Sequence, residues 1–284
     1  MPSPEPIRAF VVGCPRSGTT LLQSLVAAHR SFASAPETHF FRLYATTGLP
    51  DLYQAVCHRE LRDWMAGYFE RLDRPGWKRA FSRWYLRRRT YADLFVRAFD
   101  DLAAAHGSEG WLEKTPGHLE YIELIEELVD RPRFVHIVRR GADTVASLHA
   151  VTHEYPDDWS GAMSIDECID RWSRSVARTD ARSGDPNHFA VQYEQLASRP
   201  EPVLREICEF LGVRFEPDAL DRYEEAADRV VDEGEPWKAS NREAIREPDS
   251  QRFYGRFEPS EREYILRRLS AARTDWPVEP VGTP

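Results

Sequence analysis

The sequence has no long hydrophobic run: no stretch approaches the roughly 18 to 20 apolar residues that a bilayer-spanning helix needs, so no membrane insertion is expected. The amino-terminal MPSPEPIRAF lacks the basic and apolar regions of a secretory leader, and the expected location is cytoplasmic. Cysteine is scarce. Cys14, Cys57, Cys168 and Cys208 are scattered, with no CxxC pair and no metal-ligand spacing, which argues against a disulfide framework or a zinc site. There is no GxGxxG, so a Rossmann dinucleotide site has no support. Acidic residues outnumber basic ones, 47 to 38, and a net charge of −9 argues against a nucleic-acid partner. With no repeat, low-complexity tract or Gly/Ser linker, residues 1–284 read as a single domain.

What is present is alternation. IRAFVVG (7–13) reads as a buried strand, and TTLLQSLVAAH after it as a helix with Leu21, Leu22, Leu25 and Val26 on one face. FASAPE reads as a second strand. Residues 42 to 106 read as a mostly helical, aromatic-rich insertion, whose aromatics are expected mainly as its own core. Strand patterns return at GWLEKT, RFVHIVRR and HFAVQYEQL, with helical patterns between them and over 201–211 and 217–231. Residues 232 to 284 read as irregular and charged. Strands alternating with helices imply an α/β fold in three layers, with a mainly parallel central sheet. Such sheets bind ligands at the carboxyl ends of their strands. Segments 13–20, 37–41 and 139–147 all fall there.

In GCPRSGTT, Gly13 and Gly18 allow a tight turn and close backbone approach to a ligand. The loop opens a helix whose first amides and dipole favour an anion. Ser17, Thr19 and Thr20 offer hydroxyls, and Arg16 a permanently charged fork. The loop departs from the triphosphate pattern GxxxxGK followed by Ser or Thr, because Thr19 stands in the lysine position. After the strand FVHIV come Arg139 and Arg140, where a P-loop NTPase often carries a magnesium aspartate. Arg139 can fork onto a phosphate, and Ser147 can donate a hydroxyl from the next helix. Two anion sites at neighbouring strand ends suit a ligand with phosphates at two places.

PRSGTTLL followed by IVRRGADTVASL resembles the sulfotransferases that use 3′-phosphoadenosine-5′-phosphosulfate (PAPS), over about residues 8 to 211. The arginine of PRSGTT is similar to the bacterial and tyrosylprotein branches. The resemblance implies a P-loop NTPase-like fold and a metal-independent donor site. Arg16, Ser17, Gly18, Thr19 and Thr20 would hold the 5′-phosphosulfate, and Arg139 and Ser147 the 3′-phosphate. It places Glu37 of APETHFF as the base, Lys114 of LEKTP near the bridging oxygen, and Tyr193 near the nucleotide. Arg16 and Lys114 would stabilise the leaving phosphate. The Arg-Lys-Gly segment of cytosolic members is absent, and EPWKASN (Trp237, Lys238, Asn241) is the expected substitute.

The resulting expectation is in-line sulfuryl transfer to a hydroxyl, less readily an amine, of a small molecule, glycan or natural product. The alternative is a magnesium-dependent P-loop kinase or NTPase with a degenerate loop. His39 shares Glu37's parity along the chain and is the rival base; His118, His136 and His149 follow, with His136 expected to be structural. The run Arg87–Arg89 reads as a solvated helix face.

Overall fold

The computed structural model describes residues 5–45, 51–231, 245, 248–272 and 274–281, with residues 51–58 described as backbone only. In chain order the elements are β1 (Ile7–Gly13), α1 (Thr19–Ala27), β2 (Phe32–Ser34), α2 (Phe40–Ala45), α3 (Asp51–Arg71), α4 (Pro75–Phe81) and α5 (Arg89–His106). Next come β3 (Gly110–Lys114), a 3-10 turn (Pro116–Tyr121), α6 (Ile122–Leu128), β4 (Pro132–Val138), α7 (Gly141–Glu154), α8 (Ile165–Asp180) and β5 (His188–Gln192). The chain continues through α9 (Tyr193–Ser198), α10 (Pro200–Leu211), a 3-10 turn (Pro217–Ala219), α11 (Tyr223–Val230), α12 (Gln251–Arg256) and α13 (Pro259–Ser270).

The five strands lie in the order β2-β3-β1-β4-β5, and every pairing is parallel. Register brings the strand ends level: Val11 pairs with Lys114, Gly13 with Ile137, and Val138 with Gln192. The chain leaves β1 toward β2 on one side, while β4 lies on the other. Their carboxyl ends flank a topological switch point, where such sheets bind ligands.

Alternation along β1 builds the three layers. Phe10 and Val12 join Trp111 and Phe134 on the face covered by the helical insertion. Ala9 and Val11 join Leu112, Val135 and Ile137 on the face covered by α1 and α10. As expected, the insertion's aromatics are mainly core: Phe40 stacks on Phe95 at 4.4 Å and Phe69 on Phe81 at 5.3 Å. Each fully buried ring contributes about 1.5–3 kcal/mol.

Three segments depart from the sequence reading. The second strand stops at Ser34, because the Ala35 carbonyl accepts from Gln23 Nε2 (2.9 Å) and Pro36 has no amide to continue the ladder. The fifth strand stops at Gln192, where Tyr193 opens α9 and Glu194 accepts from the Arg140 amide (3.0 Å). The carboxyl-terminal segment, expected to be irregular, carries α12 and α13. Their buried residues Phe253, Ile265 and Leu269, with Phe257 just after α12, pack with Trp172 and Val145. Charged residues mask that four-residue spacing in the sequence, and α13 is capped by Glu258 and Glu261 rather than by serine or threonine. The carbonyls of Pro277 and Val278 accept from the first amides of α7, Gly141 (3.1 Å) and Ala142 (3.0 Å).

Candidate active site

The loop after β1 holds two left-handed residues close together, Arg16 (φ 71°) and Gly18 (φ 94°). A Cβ on Gly18 would run into the Tyr193 ring, so glycine is required here by both conformation and space. Gly18 caps α1 without any side-chain hydrogen bond, leaving the first-turn amides of Thr19 and Thr20 directed into the loop. The Ser17 hydroxyl, expected as an anion donor, instead bonds the carbonyls of Cys14 (2.5 Å) and Ile137 (3.2 Å), and so fastens the loop to the end of β4.

Arg139 and Arg140 diverge. The Arg139 guanidinium lies 4.7 Å from the Tyr193 ring centroid and donates to the Arg16 carbonyl (3.4 Å); its Nε is buried with no hydrogen-bond partner among the described residues. Arg140 turns to Asp143 and Glu194, both at 3.7 Å, and ties the β4–α7 turn to α9. Ser147, buried on α7, accepts from Arg16 Nε (3.3 Å) and from Arg252 Nη1 (3.2 Å). Two guanidinium groups thus converge on one hydroxyl. Arg252 comes from α12, and no sequence motif marks it. Lys238, with Trp237 and Asn241, lies outside the described residues.

At the neighbouring strand end, fully buried Lys114 donates to Glu37 Oε1 (2.5 Å) and to Thr20 Oγ1 (3.4 Å). One ammonium group thereby links the β2–α2 turn to the loop. Glu37 is about one-tenth exposed. His39, held at φ 53°, has its Nε2 3.8 Å from Glu37 Oε2. Burial pulls its pKa down to about 4, although Glu37 opposes that shift, so its ring is neutral at neutral pH.

The turn that carries Glu37 is tightly braced. Buried Glu113 accepts from the Thr38 hydroxyl (2.8 Å), the Thr115 hydroxyl (2.7 Å) and His118 Nδ1 (2.9 Å). Burial alone would raise its pKa; His118 beside it and the two hydroxyls outweigh that and hold it below the usual range. His118 Nε2 meets the Phe41 amide (3.2 Å), so both ring nitrogens are engaged and His118 is committed to the brace. From α3, Trp64 Nε1 donates to the Thr38 carbonyl (2.7 Å) and the Tyr68 hydroxyl to the Pro36 carbonyl (2.9 Å). Trp64 also meets the His39 ring edge-on at 5.7 Å. The insertion therefore supports the turn on both sides of Glu37.

The other histidines are engaged elsewhere. His149 Nδ1 accepts from Arg256 (2.7 Å). His136 lies between Thr179 (3.1 Å) and His188 (2.9 Å), and burial, helped by His188, lowers it to about 3. A buried histidine with a depressed pKa is neutral when folded but takes up a proton when unfolded below about 6.5. The unfolded chain then binds more protons, so stability must fall as pH drops from about 6.5 towards about 3. The melting temperature measured across that window should decline, and less steeply in His136→Gln. Equal slopes would contradict the assignment.

Buried Cys14, Cys168 and Cys208 are free thiols pushed up to about 11, 12 and 11 mainly by burial, which makes them poor nucleophiles. The one group of potential metal ligands among the described residues, Glu126, Asp185 and His188, lies by the start of β5, at the far end of the sheet from Glu37, and Arg182 already pairs with Glu126 (3.3 Å).

A parallel sheet with a glycine loop after its central strand, and with arginines and a carboxylate–ammonium pair at the adjoining strand ends, is the P-loop-like class of α/β protein. The sulfotransferase family model matches residues 6–217, and the chain belongs to that family. The chain is 26% identical over 223 residues to a protein-tyrosine sulfotransferase of Drosophila melanogaster, covering 76% of this chain and 40% of the relative. It spans 40%, 27% and 56% of three of the curated relatives it matches. In fold it is similar to the sulfotransferase domain of the Synechococcus PCC 7002 olefin synthase, with a TM-score of 0.63, 22% identity and 97% of each chain covered. It is also similar to mouse sulfotransferase SULT7A1 complexed with PAP, with a TM-score of 0.52, 14% identity and 95% and 85% of the two chains covered.

Proposed function

We propose that this chain transfers a sulfuryl group from PAPS to a hydroxyl of a small molecule, glycan or natural product, with Glu37 as the base. The observation that carries the reading is the bridge Glu37–Lys114–Thr20, which joins a carboxylate to a phosphate-type loop through one buried ammonium. The donor supplies an activated sulfuryl group on a leaving phosphate. Glu37 takes the acceptor's proton as the new O–S bond forms. Lys114 and the Thr19 and Thr20 amides stabilise the charge left on the departing phosphate. His39 is the weaker candidate here, because burial pulls its pKa down to about 4 and its ring packs edge-on against Trp64 as part of the wall.

The residues fit a bisphosphate nucleotide. The loop and Lys114 suit the 5′ end, while Arg139, Ser147 and Arg252 suit the 3′-phosphate; Tyr193 lies between the two groups against Gly18 and Arg139. Arg16 reaches Ser147 and contributes to the 3′ group rather than to the leaving phosphate alone. The exposed Arg252 of α12 replaces the missing Arg-Lys-Gly segment. Arg252→Ala should weaken adenosine 3′,5′-bisphosphate binding about ten- to a hundredfold, the equivalent of one charged hydrogen bond, and leave 5′-AMP binding nearly unchanged. Calorimetry with both nucleotides checks this; equal losses for the two would remove Arg252 from the 3′ group.

The reading itself is tested by incubating the protein with PAPS and a panel of phenols, saccharides and tyrosine peptides. A product heavier by one SO3 group, dependent on PAPS and not replaced by ATP and magnesium, is expected. Phosphorylated product would establish the kinase alternative instead.

A further inference from the structure

Between Arg74 and Ala92 the sequence carries seven basic residues and no acidic one, in a chain of net charge −9. Three of the seven are committed to the fold. Lys78 pairs with Glu70 (2.5 Å), Arg88 donates to the Tyr44 carbonyl (2.6 Å), and Arg89 to Asp93 (3.2 Å) and the Glu127 carbonyl (3.1 Å). Arg79, Arg83 and Arg87 are exposed and have no ion-pair partner among the described residues. Beside them, in the turn between α4 and α5, stand Trp84 and Leu86. Leu86 is wholly exposed and Trp84 57% exposed, two of the four exposed large hydrophobic residues described. Arg62 lies over the Trp84 ring at 4.2 Å, which fixes the ring's orientation and leaves the rest of it to water.

We propose that this turn docks the protein onto an anionic membrane surface, Trp84 and Leu86 entering the interfacial layer and Arg79, Arg83 and Arg87 meeting lipid phosphates. Single exposed apolar residues are ordinary. Here two of them crown one acid-free basic segment, and that coincidence calls for an anionic, partly apolar partner. Two side chains in a turn are far short of the roughly 800 Å² per partner that a specific protein interface takes. A bilayer interface asks only for shallow entry, favours tryptophan at headgroup level, and lets arginine keep its charge in water while its stem lies on apolar surface. Clustered arginines draw such a segment to anionic lipid, and the effect fades within a Debye length. Because the rest of the chain is strongly acidic, an anionic surface repels it elsewhere and this turn sets the approach. No described helix is long and apolar enough to cross a membrane, so the contact is a docking rather than a span. The proposal is independent of the donor chemistry.

Co-sedimentation of the full chain with phosphatidylcholine vesicles, with and without phosphatidylglycerol, tests it against Trp84→Ala/Leu86→Ser and Arg83→Glu/Arg87→Glu. These side chains are exposed, so melting temperatures should match wild type. Wild type should sediment only with the anionic vesicles, and each double variant should bind about tenfold or more weakly. Absence of binding to anionic vesicles, or equal binding by the variants, overturns the proposal. So does capture by polyglutamate without capture by vesicles, which would point to an acidic polypeptide.

Discussion

Glu37→Gln should fold, retain adenosine 3′,5′-bisphosphate binding, and lose about 10²-fold or more in kcat. The expectation follows from what the substitution spares. A glutamine oxygen can still accept from Lys114, whose Nζ lies 2.5 Å from Glu37 Oε1. The brace formed by Glu113, Thr38, Thr115 and His118 involves no atom of Glu37, so the turn keeps its shape. What disappears is the ability to take a proton from an attacking hydroxyl. Steady-state rates and bisphosphate calorimetry on one preparation separate the two effects. Turnover close to wild type would exclude Glu37 as the base and return His39, its edge-on neighbour of Trp64, to consideration.

Lys114→Met should cost about 10² to 10³-fold in kcat, the scale of losing a fixed donor aimed at developing charge. Methionine fills the fully buried volume of the lysine stem, so the loss reports the ammonium group more than a cavity. Because Lys114 contacts both Glu37 and Thr20, the base and the loop are coupled through it. The double variant with Glu37→Gln should therefore lose less than the product of the two single losses. Strictly multiplicative losses would mean that the carboxylate and the ammonium act independently, and the bridge would have no mechanistic meaning.

Much of this site is legible in the chain because its parts are local. Gly13, Gly18 and the helix opening at Thr19 lie within one short motif, and the apolar runs that place it on a strand end are continuous. Arg139 and Ser147 are similarly joined by one strand end and two turns of helix. The remainder depends on contacts between distant residues, for which a single sequence offers no signal. Arg252 meets Ser147 across 105 positions, and Glu113 meets Thr38 across 75. Trp64 and Tyr68 look like ordinary insertion core, yet both donate to the turn that carries Glu37. Ser17 shows the limit of a motif from the other side. In the motif its hydroxyl reads as a ligand donor, and only the fold reveals the backbone carbonyls it serves. The carboxyl-terminal helices leave little pattern in the sequence because exposed charge outnumbers their few buried positions.

The most direct test of the central claim, a site built for a nucleotide with two separated phosphate groups, is a thermal-shift titration. Adenosine 3′,5′-bisphosphate is compared with ATP, each with and without magnesium. Stabilisation by the bisphosphate in the absence of metal, growing with its concentration as binding to the folded state requires, is the predicted result. Stabilisation by magnesium-ATP with no response to the bisphosphate would contradict it.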